Sequence, residues 1–496
     1  MALKSSDRVL WSITGVVATA LAVVTVLLFQ QAGAWDRWRE AVRERSDRAA
    51  VSVIPGEEDV PLIEETVDDD QQVALPTDTP VPVAPQRIFF IAADQGATEE
   101  NLAEHIRLWA IPATGGEAEM VADEVRAHGF GETPPWCLIP SEDDPHLTFV
   151  QGPTEGMRLM LLDLGTGEFE ELYAASDGEW IGSPSASPDG QRLAFITAEP
   201  PPGGEFHDDV QATLHVATIA DGEVEREFEP VTIWTPLAWS ADSHWLAAVE
   251  SGGPLRWPRM LLFPAGEGEM LEPPFSRGLQ ASWAPEGQRL VAVRGRSAGG
   301  VELISWDVAA GEHEPLALAG QEAGQPPGVV WAIKWSPDGE WLAGLAGDDW
   351  PAVGLYVVGQ ESAEPVALYG EGEDEGAVWW YEWSPDARHI AFIAARSVRP
   401  EGAADEGATG EVGGFVMQPD GDGSWQVATG LVGRVEAMAW SPDGQQLAFG
   451  LHMEGDDGQA SSRLYVADIG EQRPTLLHEG VGNVLYLRWV PAVGGG

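Results

Sequence analysis

Lysine is almost missing from this sequence. Of 496 residues only Lys4 and Lys334 are lysines, and 27 basic side chains face 80 acidic ones, for a formal net charge of −53. Nucleic-acid binding rests on neutralising phosphates with Lys and Arg, so such a surface repels DNA and RNA. Adhesion to anionic lipid is disfavoured for the same reason. The acidity itself reads as a solubility device, with adaptation to salty surroundings as a second reading. Cysteine is rarer still: Cys137 stands alone, which excludes an internal disulfide framework and marks Cys137 as a small apolar core residue.

The chemistry that short motifs announce is also missing. The 10 histidines are scattered, with no H-x-x-x-H pair and no Cys–His cluster, so no zinc site is expected. Acidic loops at 142–144, 208–209, 371–375 and 456–457 lack the ligand spacing of a calcium loop and read as solvated surface. No Gly-rich phosphate loop opens a helix. The sequence therefore implies no metal and no cofactor. Gly295-Arg296-Ser297-Ala298-Gly299 matches the G-x-S-x-G pattern, but that pattern needs a strand-to-helix turn, and here it falls between two antiparallel strands. It is read as coincidence.

What the sequence has is a repeat. Residues 437–449 read AMAWSPDGQQLAF, and variants recur at 332–344 (AIKWSPDGEWLAG), 380–392 (WYEWSPDARHIAF), 281–293 (ASWAPEGQRLVAV), 236–248 (PLAWSADSHWLAA) and 184–195 (PSASPDGQRLAF). Ser441-Pro442-Asp443-Gly444 has the residues of a type I turn, placed between a short strand ending at Trp440 and another beginning near Leu447. The same interval of seven separates Trp239 from Leu246, Trp283 from Leu290, Trp335 from Leu342, Trp383 from Ile390 and, with Ala in the Trp place, Ala186 from Leu193. Pro140 to Leu147 is a weaker copy. A constant interval means a hairpin of fixed length. Each hairpin is followed by a second apolar pair, as in RLYVADIGEQRPTLL at 463–477. Four short strands per unit with a Trp signature point to an all-β propeller.

The ends of the repeat complement one another. RIFFIAA (87–93), IRLWAIPA (106–113) and EAEMVAD (117–123) are the last three strands of a unit whose first is missing, because Pro80, Pro82 and Pro85 cannot donate to a central ladder. NVLYLRWVP (483–491) is a first strand with nothing after it. The C-terminal strand is expected to complete the first blade, one plus three. Anchors at 140, 186, 239, 283, 335, 383, 440 and 489 give eight blades over residues 81–496.

Trp-Ser-Pro-Asp-Gly-x-x-Leu-Ala-Phe followed by a Leu-Tyr-Val-x-Asp strand resembles the TolB-like, WD-repeat-like propeller family. The repeat also occurs in propeller domains of prolyl-oligopeptidase-type enzymes. Copies with Ser-Ala-Asp-Ser at 240–243 and Ala-Pro-Glu-Gly at 284–287 depart from the pattern but keep the turn chemistry. The motif is specific for fold and poor for function. No hydrolase domain follows the propeller, and the sequence reading is that the protein is not an enzyme.

Ahead of the propeller, no charged residue occurs between Arg8 and Asp36. Leu10 to Phe29 is nearly all apolar, and twenty residues of helix span about 30 Å, the hydrocarbon thickness of a bilayer. Residues 1–34 are read as a tail and transmembrane anchor, with a signal peptide cleaved after Ala32-Gly33-Ala34 as the competing reading. Residues 35–80 hold a short charged helix and an acidic, Pro-rich spacer. Arg37, Arg39, Arg43, Arg45 and Arg48 after the span favour a cytoplasmic propeller by the positive-inside rule. The family resemblance favours an extracytoplasmic one, and a single-pass membrane protein with its propeller outside is the expectation.

The candidate binding residues line the axis and one face. Lys334, Glu382 and Arg488 hold the place just before the Trp slot in three blades, and Trp331, Trp379 and Trp380 lie upstream in first strands. Inter-blade packing with an ion pair explains them structurally; an aromatic and charged recess for a partner is the functional reading. The expected function is a membrane-tethered interaction module binding a protein partner. The alternatives are a ligand- or glycan-binding sensor and a propeller hydrolase remnant.

Overall fold

The computed structural model describes residues 86–94, 106–126, 146–152, 156–164, 166–176, 178–199, 211–231, 237–250, 259–275, 278–295, 301–316, 329–349, 352–359, 365–369, 375–398, 409–421, 423, 425–428, 431, 433–454, 460–471 and 473–490. All of these lie in the compact unit from Pro80 to Gly496. The expected membrane span, its spacer, the Pro140 copy, Cys137 and Ser297 lie outside them.

The chain is an eight-bladed β-propeller. Blade 1 is built in the order Glu119–Ala122, Ile106–Pro112, Arg87–Ala93 and Val484–Val490. The last strand therefore closes the ring as the innermost strand of the first sheet, with Ile88 opposite Trp489 and Phe90 opposite Leu487. Blades 2 to 8 then follow in chain order, each starting on its inner strand: Val125–Arg126, Trp180–Ala186, Ala238–Trp239, Gly278–Trp283, Val329–Trp335, Glu375–Trp383 and Arg434–Trp440. Among the described residues the inner strand of blade 2 is Val125–Arg126, immediately after blade 1. Blade 4 has three strands and a single bridge, Leu262 to Leu271, where its fourth would run. Pro273-Pro274 follows that bridge, and proline cannot extend a ladder.

Apolar residues fill both faces of every sheet, which is why the strands show little polar alternation. Eight hydrophobic clusters occupy the eight gaps between neighbouring blades. In Arg87–Ala93, Ile88 and Phe90 pack towards blade 8, while Phe89 and Ile91 pack towards blade 2. This is the period of two of a pleated strand, applied to a sheet with a neighbour on each side.

The signature tryptophans join the blades. Trp239 donates its indole N–H to the Ser185 carbonyl at 2.8 Å, and Trp283 to the Ala238 carbonyl at 2.9 Å. Trp383 donates to Lys334 O and Trp440 to Glu382 O, both at 3.3 Å. In each case the acceptor is the residue just before the Trp slot of the preceding blade. Trp489 uses Gln86 Oε1 instead, at 2.9 Å. Trp335 departs: its buried indole N–H has no acceptor among the described residues, and Arg289 lies over its ring at 6.0 Å.

The Ser-Pro-Asp-Gly turn is a closed network. In blade 8 the Ser441 O–H donates to Asp443 Oδ1 at 2.6 Å, Ser441 Oγ accepts the Gln446 N–H at 2.8 Å, and Asp443 Oδ1 accepts the Gln445 N–H at 3.1 Å. Gly444 closes the turn onto Ser441 O at 2.8 Å with φ of 68°. The same Ser–Asp bond recurs at Ser187, Ser240, Ser336 and Ser384. All five serines are buried. Ser243 and Ala387 hold the glycine place in two copies, both with φ of 59°, a left-handed backbone that costs a non-glycine residue about 1–2 kcal/mol.

The Ser441 O–H and then the Gln445 N–H hold the Asp443 carboxyl below its ordinary value. Such a group adds stability above its unfolded pKa of about 4 and loses it as pH falls through the folded value. Ser441→Ala is expected to destabilise the protein by roughly 1–2 kcal/mol at neutral pH and by less at a pH below the folded value of Asp443, where the carboxyl is protonated in parent and variant alike. Urea denaturation at the two pH values checks this.

Candidate functional site

The residue before the Trp slot can meet the next blade in two ways, through a carbonyl that receives the indole or through its side chain, and Lys334 does both. Ser282 Oγ accepts the Trp335 backbone N–H at 3.4 Å. Lys334 Nζ lies 2.7 Å from both carboxylate oxygens of Glu382, a two-pronged ion pair across blades 6 and 7. Arg488 Nη1 donates to the His146 carbonyl of blade 2 at 3.0 Å. The Lys334 side chain is 37% exposed and that of Glu382 only 13%. Lys334 pairs with Ala343 and Glu382 with Ala391 across their hairpins, so both stand close to the face carrying the Ser-Pro-Asp-Gly turns.

The other candidates fall elsewhere. Trp379 and Trp380 are half-buried against the core between blades 7 and 8. Trp331 belongs to the inner strand Val329–Trp335, opposite Leu345. Three residues of strand separate Trp331 from Lys334, about 10 Å. Arg488, on blade 1 and two blades past Glu382 in ring order, turns to blade 2. The structure thus unites Lys334 with Glu382 and distributes the remaining four around them.

Sequence patterns missed three features. The inner strands carry bulges: the pairing register shifts at Gly182/Ser185, Gly278/Gln280, Trp331/Lys334, Val378/Trp380 and Val435/Ala437. Ser183 and Ala332 adopt positive φ there, at 51° and 48°. Tyr381, next to Glu382, is buried with its hydroxyl at the Ala332 carbonyl and 3.1 Å from Ala343 O. Burial first, and the Glu382 charge second, push its phenol well above the ordinary value, so it stays a neutral donor. Glu436 is the third; it puts a charge where the equivalent inner-strand residues are Leu279, Trp331, Trp379 and Leu485. Among the described residues no group of three or more His, Cys, Asp or Glu is arranged to hold a metal ion.

The WD domain, G-beta repeat family matches residues 322–350, the stretch that carries Lys334 and Trp335. No curated protein matches this chain. Similar solved structures include a prolyl endopeptidase, at 13% identity and TM-score 0.49 over 72% of this chain and 50% of that one. They also include an oligogalacturonate lyase from Vibrio parahaemolyticus, at 11% identity and TM-score 0.46 over 78% and 99% of the two chains. TolB from Acinetobacter baumannii aligns at 15% identity and TM-score 0.34 over 70% and 83%. The chain spans half the length of the prolyl endopeptidase. None of these likenesses assigns a residue role. They do overturn one expectation: the sequence was read as that of a non-enzyme, yet enzymes stand among the propellers that resemble it. Motif searches see residues close in sequence, whereas a propeller can gather side chains from eight blades, so a missing motif does not exclude chemistry.

The unequal burial of the pair sets an unequal response to mutation. Lys334→Ala withdraws the cation facing a carboxylate that is largely out of water, while Glu382→Ala leaves an ammonium that water already reaches. Interpolating between exposed pairs, worth about 0–1 kcal/mol, and buried ones, about 3–5 kcal/mol on truncation, Lys334→Ala is expected to cost about 2 kcal/mol and Glu382→Ala about 1 kcal/mol. Denaturant midpoints of the two variants check the order.

Proposed function

We propose that this protein is a membrane-tethered propeller that presents one rigid face to a protein partner. The closed ring carries this reading: eight packed gaps and a strand returned from the far end of the propeller fix its shape, so a partner meets a preformed surface and little ordering entropy opposes binding. Propeller and WD-repeat folds commonly serve as interaction modules, although fold alone does not fix function. The pair Lys334–Glu382, with Trp380 upstream on the Glu382 strand, is the proposed contact. Both oxygens of Glu382 already meet the Lys334 charge, so a partner's carboxylate binds there by displacing Glu382. The propeller sits outside the cytoplasm, held by the apolar stretch 10–29.

Crosslinked capture from native membranes tests the interaction. One specific protein partner is expected, and Lys334→Ala or Trp380→Ala weakens its capture while leaving the melting transition cooperative. Folded variants that capture the partner as the parent does would remove these residues from the site.

The tether has its own test. The full-length protein is expected to stay with membranes through a high-salt wash and to be open to external protease in sealed vesicles. A mature chain beginning at Trp35 would mean a cleaved signal peptide instead.

A further inference from the structure

The closing strand Val484–Val490 contains a bulge. Tyr486 pairs with Ile91 and Val484 with Ala92, so the strand has an extra residue at Leu485. A bulge disrupts the ladder locally and leaves its backbone groups to find other partners. Here the partner comes from another blade: Glu436 Oε2, on the inner strand of blade 8, accepts the Val484 N–H at 2.9 Å. The Glu436 side chain is only 8% exposed, and its charge is met from several sides. The fully buried Ser462 donates its O–H to Oε2 at 2.9 Å. His452 Nδ1 lies 3.4 Å from Oε1, and Arg434 Nη2 lies 3.5 Å away. At the other end of the strand, buried Arg488 donates to the His146 carbonyl of blade 2. Just before the strand, Gly482 runs so close to Ala93 that an added Cβ would fall 1.6 Å from the Ala93 carbonyl oxygen.

We propose that Glu436 is the clasp of the ring: its charge-assisted bond to Val484 decides whether the closing strand stays seated, independently of the stability of the other blades. Charge-assisted hydrogen bonds are about twice as strong as neutral ones. This one joins the last blade to a strand that reaches blade 1 only after the chain has gone round the whole ring. Every other blade is held by strands continuous in sequence. Blade 1 alone can lose its inner strand without unfolding a hairpin, and the released edge of Arg87–Ala93 would expose Ile88 and Phe90, both fully buried when the strand is in place. The strand is a strap, and Glu436 fixes its leading end.

Residue-resolved amide hydrogen exchange on the full chain tests this. In Glu436→Ala the amides of 484–490 are expected to exchange at least tenfold faster than in the parent, while those of Trp245–Glu250 in blade 4, on the far side of the ring, are unchanged. Glu436→Gln, which keeps the shape and loses the charge, should fall between. Closing-strand amides as slow as the parent's, or equal acceleration in blades 1 and 4, would overturn the proposal. If Glu436→Ala does not fold, Ser462→Ala replaces it, with about threefold acceleration expected in 484–490 only and no selective change counting against.

Discussion

A sheet with two apolar faces cannot stop at an edge of the molecule. Every blade here buries residues on both sides, so each needs a neighbour on its left and its right, and the only finite arrangement of equivalent blades that satisfies this is a closed ring. The indole-to-carbonyl bonds fix how one blade meets the next. Trp239, Trp283, Trp383 and Trp440 each place a donor on the backbone of the preceding inner strand, one residue before its own Trp slot. Large aromatic area and a directed hydrogen bond come from one side chain. That explains why the chain spends so many tryptophans at one repeated position.

The same constraint makes the seam the special place. A ring assembled from a linear chain has one junction where sequence neighbours do not supply the packing. Donating Val484–Val490 to the first sheet replaces the missing covalent continuity with a ladder of backbone bonds. It also buries Trp489, Leu487 and Val484 against Ala437, Ala439 and Leu464 of blade 8. The hydrophobic contribution is shared with every other gap, and the closing strand adds charged contacts to it. Glu436 and Arg488 bond backbone groups of neighbouring blades, and such bonds are directional where apolar packing is not.

How much of this could be read from the letters depends on range. The seven-residue interval from Trp440 to Leu447 reports a local hairpin, and the structure pairs those two residues directly. Closure was legible because the partial units at 87–123 and 483–491 fit only one another. The Ser and Asp of the turn were visible as turn formers, but not as a network in which one serine hydroxyl both donates to Asp443 and accepts from Gln446. Pro273-Pro274 marks the short outer edge of blade 4, but a proline pair reads equally well as an ordinary loop between strands. The bulges at Ser183 and Ala332 have no letter of their own; alanine and serine do not announce positive φ. Glu436 shares an otherwise apolar strand with Arg434, and its meaning lies in Val484, 48 residues on.

The candidate site shows the same limit in a sharper form. Lys334 and Glu382 could be placed side by side because the repeat aligns residue 335 with residue 383, so one step back from each anchor lands on the pair. What alignment could not supply is depth. Nothing in the letters says that Glu382 is largely out of water while Lys334 is more than a third exposed, or that the half-buried Trp380 packs into the core with blade 8. Depth decides the chemistry. A carboxylate withdrawn from water gives up its hydration, and Lys334 Nζ, 2.7 Å from both of its oxygens, replaces that hydration with an opposite charge. The scarcity of lysine then becomes informative. Arginines pair with acids at the rim, as in Arg87–Glu119 and Arg463–Glu479, while the propeller's single lysine is placed where a largely buried carboxylate joins two blades. Any ligand that engages Lys334 must compete with Glu382, so recognition at this position is coupled to the contact that holds blades 6 and 7 in register.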